Sequence, residues 1–332
     1  MTIQTLVLAA LLATNNPATP AEETISAEQA AGLAYFKSLH EHLAASSSPR
    51  ERALSARPIA SVDPVAAGKL LRDASRAAPA DGLVQMLWST VGKEWSGCDA
   101  ASPCPEQVLA WANAEPDNGF AWLPAFEAAG KDRDAPAIDA DIARIANAGR
   151  YDDHFIDFWI SYRRAIADRP MPALVAESLD KRDRPMRAVS AKDDAISVAA
   201  MAAAAVLPLP ISTLMRACNK SSHPEAPAAR FADCARIGRG ILASESSVMS
   251  KMIACGLVRA TGLETEADRQ VDIALQWRQH AVTDALYAHS EETAAYFADL
   301  ASTGSEVRAQ ELLMTRRGVP IDPPDAWKKS SR

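Results

Sequence analysis

The sequence predicts an all-α protein, and three observations support this fold class. Hydrophobic residues make up 48% of the chain but aromatic residues only 6%, and alanine is abundant, which favours closely packed helices. Apolar residues recur at intervals of three and four in one segment after another. Runs of alternating apolar and polar residues rich in β-branched side chains, which would indicate strands, are missing. We therefore expect an array of α-helical hairpins.

The first 21 residues have the features of a secretory signal peptide. An apolar segment of eight residues, Leu6 to Ala13, precedes small and turn-forming residues, and the first charged side chain is Glu22. Cleavage after Ala21 or after Ala18 fits the preference for small residues. The segment is far shorter than the roughly 20 residues that span a bilayer. We expect a periplasmic or secreted protein without stable membrane insertion after cleavage; the alternatives are a buried first helix, a frayed apolar tail or a membrane anchor.

The charge balance and the motifs exclude several classes of function. The chain has 35 basic and 42 acidic residues, a net charge of −7, which argues against a nucleic-acid partner. Dinucleotide-loop and phosphate-loop motifs are missing, and no histidines and cysteines are grouped at metal-ligand spacing. We expect no cofactor and no metal.

Helical spacing and end signals divide the first half of the chain into short helices. The segment SAEQ at Ser26 to Gln29 is a capping box, and Leu33, Phe36, Leu39 and Leu43 follow it at helical spacing. Phe155, Phe158, Trp159, Tyr162 and Ile166 form an aromatic stripe on a helix from about residue 153 to 167. Further helices are expected near residues 49–56, 64–78, 82–91, 106–113, 119–129 and 135–148.

Proline and charge mark a boundary between two halves of the chain. The segment 169–190 is rich in both, so we predict a linker between an N-terminal helical-hairpin domain (22–168) and a C-terminal helical domain (191–318). The C-terminal helices are expected near residues 193–206, 227–242, 247–261, 264–287, 290–301 and 305–317. The last is capped by Ser305 and ended by Gly318 and Pro320, and a flexible tail (319–332) follows it.

The five cysteines predict local disulfides. Cys98 and Cys104 enclose a turn-rich loop, and Cys218 and Cys234 enclose another connection. Five thiols allow fifteen two-bridge pairings, but proximity in the chain favours these two bridges as hairpin staples. Cys255 lies in a helical run and is expected to be a buried free thiol.

One segment resembles the junction between tetratricopeptide repeats. EPDNGFAW at Glu115 to Trp122 leads into an alanine-rich helix and then a second helix, so that the resemblance covers about residues 107–147. A fainter copy, APADGLVQMLW, begins 37 residues earlier at Ala78. Phe126 and Ala129 stand where the family has other residues. The resemblance implies a regular or irregular α-solenoid that binds a protein or peptide in a groove.

One histidine has acidic neighbours at helical spacing. Asp153, His154 and Asp157 lie near the start of the aromatic helix, where a carboxylate could orient the imidazole for proton transfer. The alternative is structural, with Asp152 or Asp153 capping the helix and His154 filling space beside the cap.

These observations favour three functions in turn. The first is an exported scaffold or adaptor that binds a protein or peptide partner without catalysis, with Trp88, Trp122 and Tyr151 as candidate anchors. The second is a hydrolytic or lytic enzyme that uses Asp153, His154 and Asp157. The third is a carrier of a small apolar ligand.

Overall fold

The computed structural model describes residues 27–60, 63–91, 105–129, 135–169, 211–288 and 290–330, and within these ranges the chain is helical with no strand. This confirms the predicted all-α class. The helices up to residue 169 are α1 (Ala27–Ala44), α2 (Pro49–Ala60), α3 (Pro64–Ala77), α4 (Gly82–Thr90), α5 (Pro105–Val108), α6 (Ala110–Ala114), a 3₁₀ helix (Gly119–Trp122), α7 (Leu123–Ala128), α8 (Ala135–Ala146) and α9 (Phe155–Ala165). The later helices are α10 (Ile211–Ala217), α11 (Ala228–Ala243), α12 (Val248–Ala260), α13 (Glu266–Ala288), α14 (Ser290–Thr303), α15 (Glu306–Arg316) and α16 (Asp325–Ser330).

Polar side chains fix where several helices begin. Asp63, Asp81 and Ser247 accept hydrogen bonds from the backbone N–H groups of the first turns of α3, α4 and α12. Ser305 does the same for α15, as predicted, and Gly318 just beyond that helix has a φ of +64°. The expected helix start at Ser26 lies outside the described residues.

A buried hydroxyl divides the helix predicted at 106–113 into α5 and α6. The Oγ of Ser89 donates to the carbonyl of Gln107 at 2.8 Å and accepts from the N–H of Trp111 at 3.1 Å. The hydroxyl thus stands between the two groups that would bond directly in a continuous helix. This break is set by a residue of α4 and has no signal in the segment itself.

The segment predicted as one helix over residues 119–129 likewise forms two elements. The side chain of Asn118 caps the 3₁₀ helix by accepting from the N–H of Phe120, and α7 starts at Leu123 with Pro124 in its first turn. Because proline lacks an N–H, it suits a helix start better than a helix interior.

Helices adjacent in the chain pack against each other, and one hydrophobic core joins residues from Tyr35 to Met314. The two predicted halves meet within it: α8 packs on α11, and Asp139 pairs with the buried guanidinium of Arg230. The predicted linker lies outside the described residues except for Arg169, so the domain boundary remains a prediction.

The aromatic helix α9 lies at the centre of this core. Phe158, Trp159 and Tyr162 are fully buried, as their predicted stripe requires, and Trp159 stacks on Phe297 of α14 with ring centroids 5.7 Å apart. On its other side α9 packs on α2. One helix is therefore held by both ends of the described chain.

Cys218 and Cys234 form a disulfide, confirming that predicted bridge. It joins the connection after α10 to the interior of α11. Cys255 is a buried free thiol, as expected, and burial raises its pKa to about 12. Cys98 and Cys104 lie outside the described residues, so their bridge remains a prediction.

Part of the segment predicted as a flexible tail is helical. Trp327 of α16 stacks on His280 with centroids 5.0 Å apart, and it also contacts Trp277. The indole N–H of Trp277 donates to the carbonyl of Pro320 at 2.9 Å, so the segment after Gly318 lies along α13.

Within the described residues, no helix is both long enough and apolar enough to cross a membrane.

Candidate functional site

The candidate site surrounds His154, which is the N-cap residue of α9. Among the described non-glycine residues only His154 has a positive φ, +53°. This left-handed conformation is uncommon outside glycine and turns the chain sharply before the helix.

Two loops are joined to bring the site together. The N–H of Gly119 donates to the carbonyl of Arg150, and the N–H of Arg150 donates to the carbonyl of Asp117. The buried amide of Asn118 donates to the carbonyl of Asp152 at 2.9 Å and accepts from its N–H at 3.1 Å. The loop before α9 is thereby held beside the end of α6, where Glu115 lies.

Glu115 is the main partner of His154. Its Oε2 lies 2.9 Å from Nε2 of the imidazole, and both side chains are largely buried. The same oxygen accepts from the indole N–H of Trp111 and the amide of Asn118, while Oε1 pairs with Arg150 at 2.9 Å. Burial raises the pKa of Glu115, but the hydrogen bond and positive charge of His154 and the other donors outweigh it, so the pKa lies well below its usual range. Glu115 is an anion that holds a proton on Nε2.

The other ring nitrogen of His154 has no hydrogen-bond partner. Nδ1 is buried, the side chain is 8% exposed, and the nearest carboxylate oxygens are Asp152 Oδ2 at 3.7 Å and Asp157 Oδ2 at 3.8 Å. Both distances exceed a normal hydrogen bond. Burial lowers the pKa of His154, but the hydrogen bond to Glu115 and the negative charges of Asp152, Glu115 and Asp157 outweigh it and raise that pKa above its ordinary value.

Two arginines hold the surrounding carboxylates in place. Arg50 of α2 donates to both oxygens of Asp81 and, at 2.8 Å, to Oδ1 of Asp157. Arg150 pairs with Asp117 and Asp152 as well as with Glu115. Five carboxylates therefore surround two guanidinium groups and one imidazole, which leaves the cluster net negative whether or not His154 is protonated.

Gly82, the first residue of α4, permits this close assembly. A Cβ at this position would overlap the carboxylate of Glu115 and lie 2.9 Å from Nε2 of His154. A side chain on residue 82 would therefore displace the two groups at the centre of the site.

The structure brings together two of the three predicted residues, His154 and Asp157, but not Asp153. The Oδ2 of Asp153 accepts from the N–H and the hydroxyl of Ser247 and from the hydroxyl of Ser250, each within 3.0 Å. Asp153 therefore caps α12, and its Oδ1 accepts from the N–H of Phe155 in the first turn of α9. The alternative structural interpretation of this segment thus applies to Asp153.

A second carboxylate meets the start of α12 beside Asp153. Glu306 accepts from the N–H of Val248 at 2.8 Å. Burial, with a contribution from the charge of Asp153, raises the pKa of Glu306 to about 7 despite that hydrogen bond.

The three candidate binding aromatics differ in exposure. Trp88 and Tyr151 are buried, and the hydroxyl of Tyr151 donates to the carbonyl of Ile145. Trp122 is half-buried, donates to the carbonyl of Pro116, and has the guanidinium of Arg144 4.9 Å from its ring centroid. Only Trp122 of the three offers an open surface beside the cluster.

Sequence reasoning missed Glu115, Arg50 and Arg150 as parts of this site. Glu115 is 39 residues from His154 and Arg50 is 107 residues from Asp157. The only local signal was the Asp81–Gly82 pair, which also fits an ordinary helix start.

Among the described residues no group of three or more His, Cys, Asp and Glu side chains is arranged to hold a metal ion. Comparison with protein-family models, with curated proteins and with solved structures finds no match.

Proposed function

We propose that this chain is an exported helical scaffold that binds a protein or peptide partner and has no catalysis of its own. In this proposal the helices form a tetratricopeptide-like or irregular α-solenoid. The observation that carries it is an acidic face, formed by Asp117, Asp152 and Asp157, whose side chains are 62%, 45% and 39% exposed. A partner with positive charge would find these carboxylates already positioned.

The arginines make the acidic face suitable for binding. Because Arg50 and Arg150 fix the carboxylates from behind, little side-chain freedom would be lost when a partner binds. Charges at the edge of an interface mainly raise the rate of encounter and select the partner. Trp122, next to Asp117 through Pro116, adds an aromatic surface of the kind that anchors interfaces.

The disulfide supports the exported part of the proposal. Bridges such as Cys218–Cys234 form and persist in oxidising compartments and are rare in the cytosol. Together with the apolar amino-terminal segment, this favours the periplasm or the exterior.

Crosslinking in the native host tests the binding function. We expect the full chain to crosslink to a specific partner, and the double variant Asp117→Asn, Asp152→Asn to lose at least tenfold of that product. Asp325→Asn is the matched control, because Asp325 is a highly exposed acid on α16 outside the cluster. A product unaffected by the double variant, or no specific product, would contradict the proposal.

A second candidate is hydrolytic or lytic catalysis with His154 as the base. It is favoured by the contact with Glu115, which holds the proton on Nε2 and leaves Nδ1 without a partner. Here Glu115 takes the orienting role that the sequence suggested for Asp153. Turnover of ester, amide or glycosidic substrates that is lost in His154→Gln but kept in Asp325→Asn would support it over the binding function.

A further inference from the structure

We propose that Nδ1 of His154, with Oδ2 of Asp152 and Oδ2 of Asp157, recognises a primary ammonium group, namely the side chain of a lysine in the partner. This inference rests on the proposed binding function and names the chemistry of the partner. It places the contact at one point of the acidic face.

The three atoms share an unmet need for a hydrogen-bond donor. Since Glu115 holds the Nε2 proton, the neutral imidazole presents a lone pair at Nδ1, and the two carboxylate oxygens are acceptors as well. Nδ1 has no hydrogen-bond partner although its side chain is more than nine-tenths buried. A lysine ammonium carries three donors and no acceptor, which matches three acceptors facing one another.

The geometry favours an ammonium over a guanidinium. Arginine prefers to donate two parallel hydrogen bonds to both oxygens of one carboxylate. In Asp157 one oxygen is already taken by Arg50, and in Asp152 one oxygen accepts from the N–H of His154. Each carboxylate therefore has only Oδ2 directed at the imidazole, which suits a compact cation.

Binding should be coupled to the proton of His154. The charged groups around the ring are Arg50 from α2, Asp81 at the start of α4, Glu115 after α6, Arg150 and Asp152 from the loop before α9, and Asp157 on α9. An ammonium group would take the place of the Nδ1 proton, since two positive charges there repel each other. Affinity should rise with pH as His154 loses that proton.

Imidazole NMR of the full chain with small cations as probes tests the site directly. We expect methylammonium to lower the apparent pKa of His154 and to shift its Nδ1 resonance. Tetramethylammonium at the same concentration has the same charge but no N–H donor and should do neither. Equal effects of both ions, or no effect of either, would overturn the proposal, as would Zn²⁺ alone binding more tightly than methylammonium.

Variants and a peptide complete the test. Asp157→Asn should weaken the methylammonium effect at least fivefold and Asp325→Asn should not; equal effects in both would overturn the assignment. A lysine-containing peptide from the crosslinked partner should bind at least tenfold more tightly than its Nε-acetyl form, and equal binding would overturn the lysine contact.

The two proposals fail separately. If the partner needs the acidic face but methylammonium leaves His154 unchanged, the ammonium site is wrong and the binding function stands. If methylammonium binds but no partner depends on the acidic face, the binding function is wrong.

Discussion

Asp153 and His154 are consecutive residues whose side chains serve opposite sides of the molecule. The Asp153 carboxylate accepts from Ser247 at the start of α12, whereas the His154 ring binds Glu115 after α6. The left-handed backbone of His154 separates the two directions. One turn of the chain therefore connects the C-terminal helices with the charged cluster.

Replacing Glu115 by glutamine should destabilise the protein by about 2 kcal/mol at pH 5.5, because a buried hydrogen bond between charged groups is lost. The folded-state pKa of His154 is raised, so its stabilisation is complete below the unfolded value of about 6.5 and disappears as pH rises through the folded value. The effect of the substitution should therefore shrink towards pH 9. Urea unfolding at several pH values measures this. Glu41→Gln, on the exposed face of α1, should show no such pH dependence.

Adding one methyl group at Gly82 should disturb the site without removing a charge. The new Cβ overlaps the Glu115 carboxylate, and we expect Gly82→Ala to cost about 1–3 kcal/mol through overpacking. Gly256→Ala is the control: its Cβ would meet only the Cε of Met215 at 3.6 Å, and alanine favours a helix, so it should be neutral or stabilising. Thermal unfolding compares the two, and equal costs would contradict the close packing at Gly82.

Replacing Glu306 by glutamine should stabilise the protein at pH 8 but not at pH 4. The pKa of Glu306 is raised to about 7, so ionisation favours the unfolded chain as pH rises from about 4.3, and the penalty levels off above pH 7. Glutamine keeps an oxygen for the N–H of Val248 and removes the charge. We expect a gain on the order of 2 kcal/mol at pH 8 by urea unfolding.

The matched variant for Glu306 is Glu245→Gln. Glu245 is an exposed neighbour whose carboxylate accepts from Ser305. Its substitution should leave the pH dependence of stability unchanged, and a similar gain in both variants would contradict the role of burial at Glu306.

Reducing the disulfide should lower the free energy of unfolding by about 3 kcal/mol in the chain-entropy model, because the bridge closes a loop with a sequence separation of 16. Cys218→Ser combined with Cys234→Ser should have the same effect, and reductant should then cause no further loss attributable to this bridge. Peptide mapping without reduction checks the pairing and tests the predicted Cys98–Cys104 bridge. A Cys218–Cys255 peptide would contradict the structure.

Sequence patterns predicted the helices well because their signals are local. The stripe from Phe155 to Ile166 and the cap at Ser305 depend on residues within one or two turns. The break between α5 and α6 was missed since it depends on Ser89, a residue of another helix. The first prediction for residues 119–129 also gave too little weight to Pro124.

The candidate site was predicted only in part for the same reason. His154 and Asp157 are three residues apart on one helix, so their contact could be expected. Glu115 and Arg50 reach them only through tertiary packing, and no spacing rule connects residues so distant in the chain. Asp153 was wrongly grouped with His154 since the left-handed conformation of a histidine has no clear sequence signal.

The central position of α9 limits how this protein could change in evolution. In an open stack each unit touches only its neighbours, so units can be duplicated or lost with little effect on the rest. Here Arg50 on one side and Phe297 on the other both contact the same helix. An inserted hairpin would alter the distance that these contacts span, so variation in length should be tolerated in surface connections rather than in the number of helices.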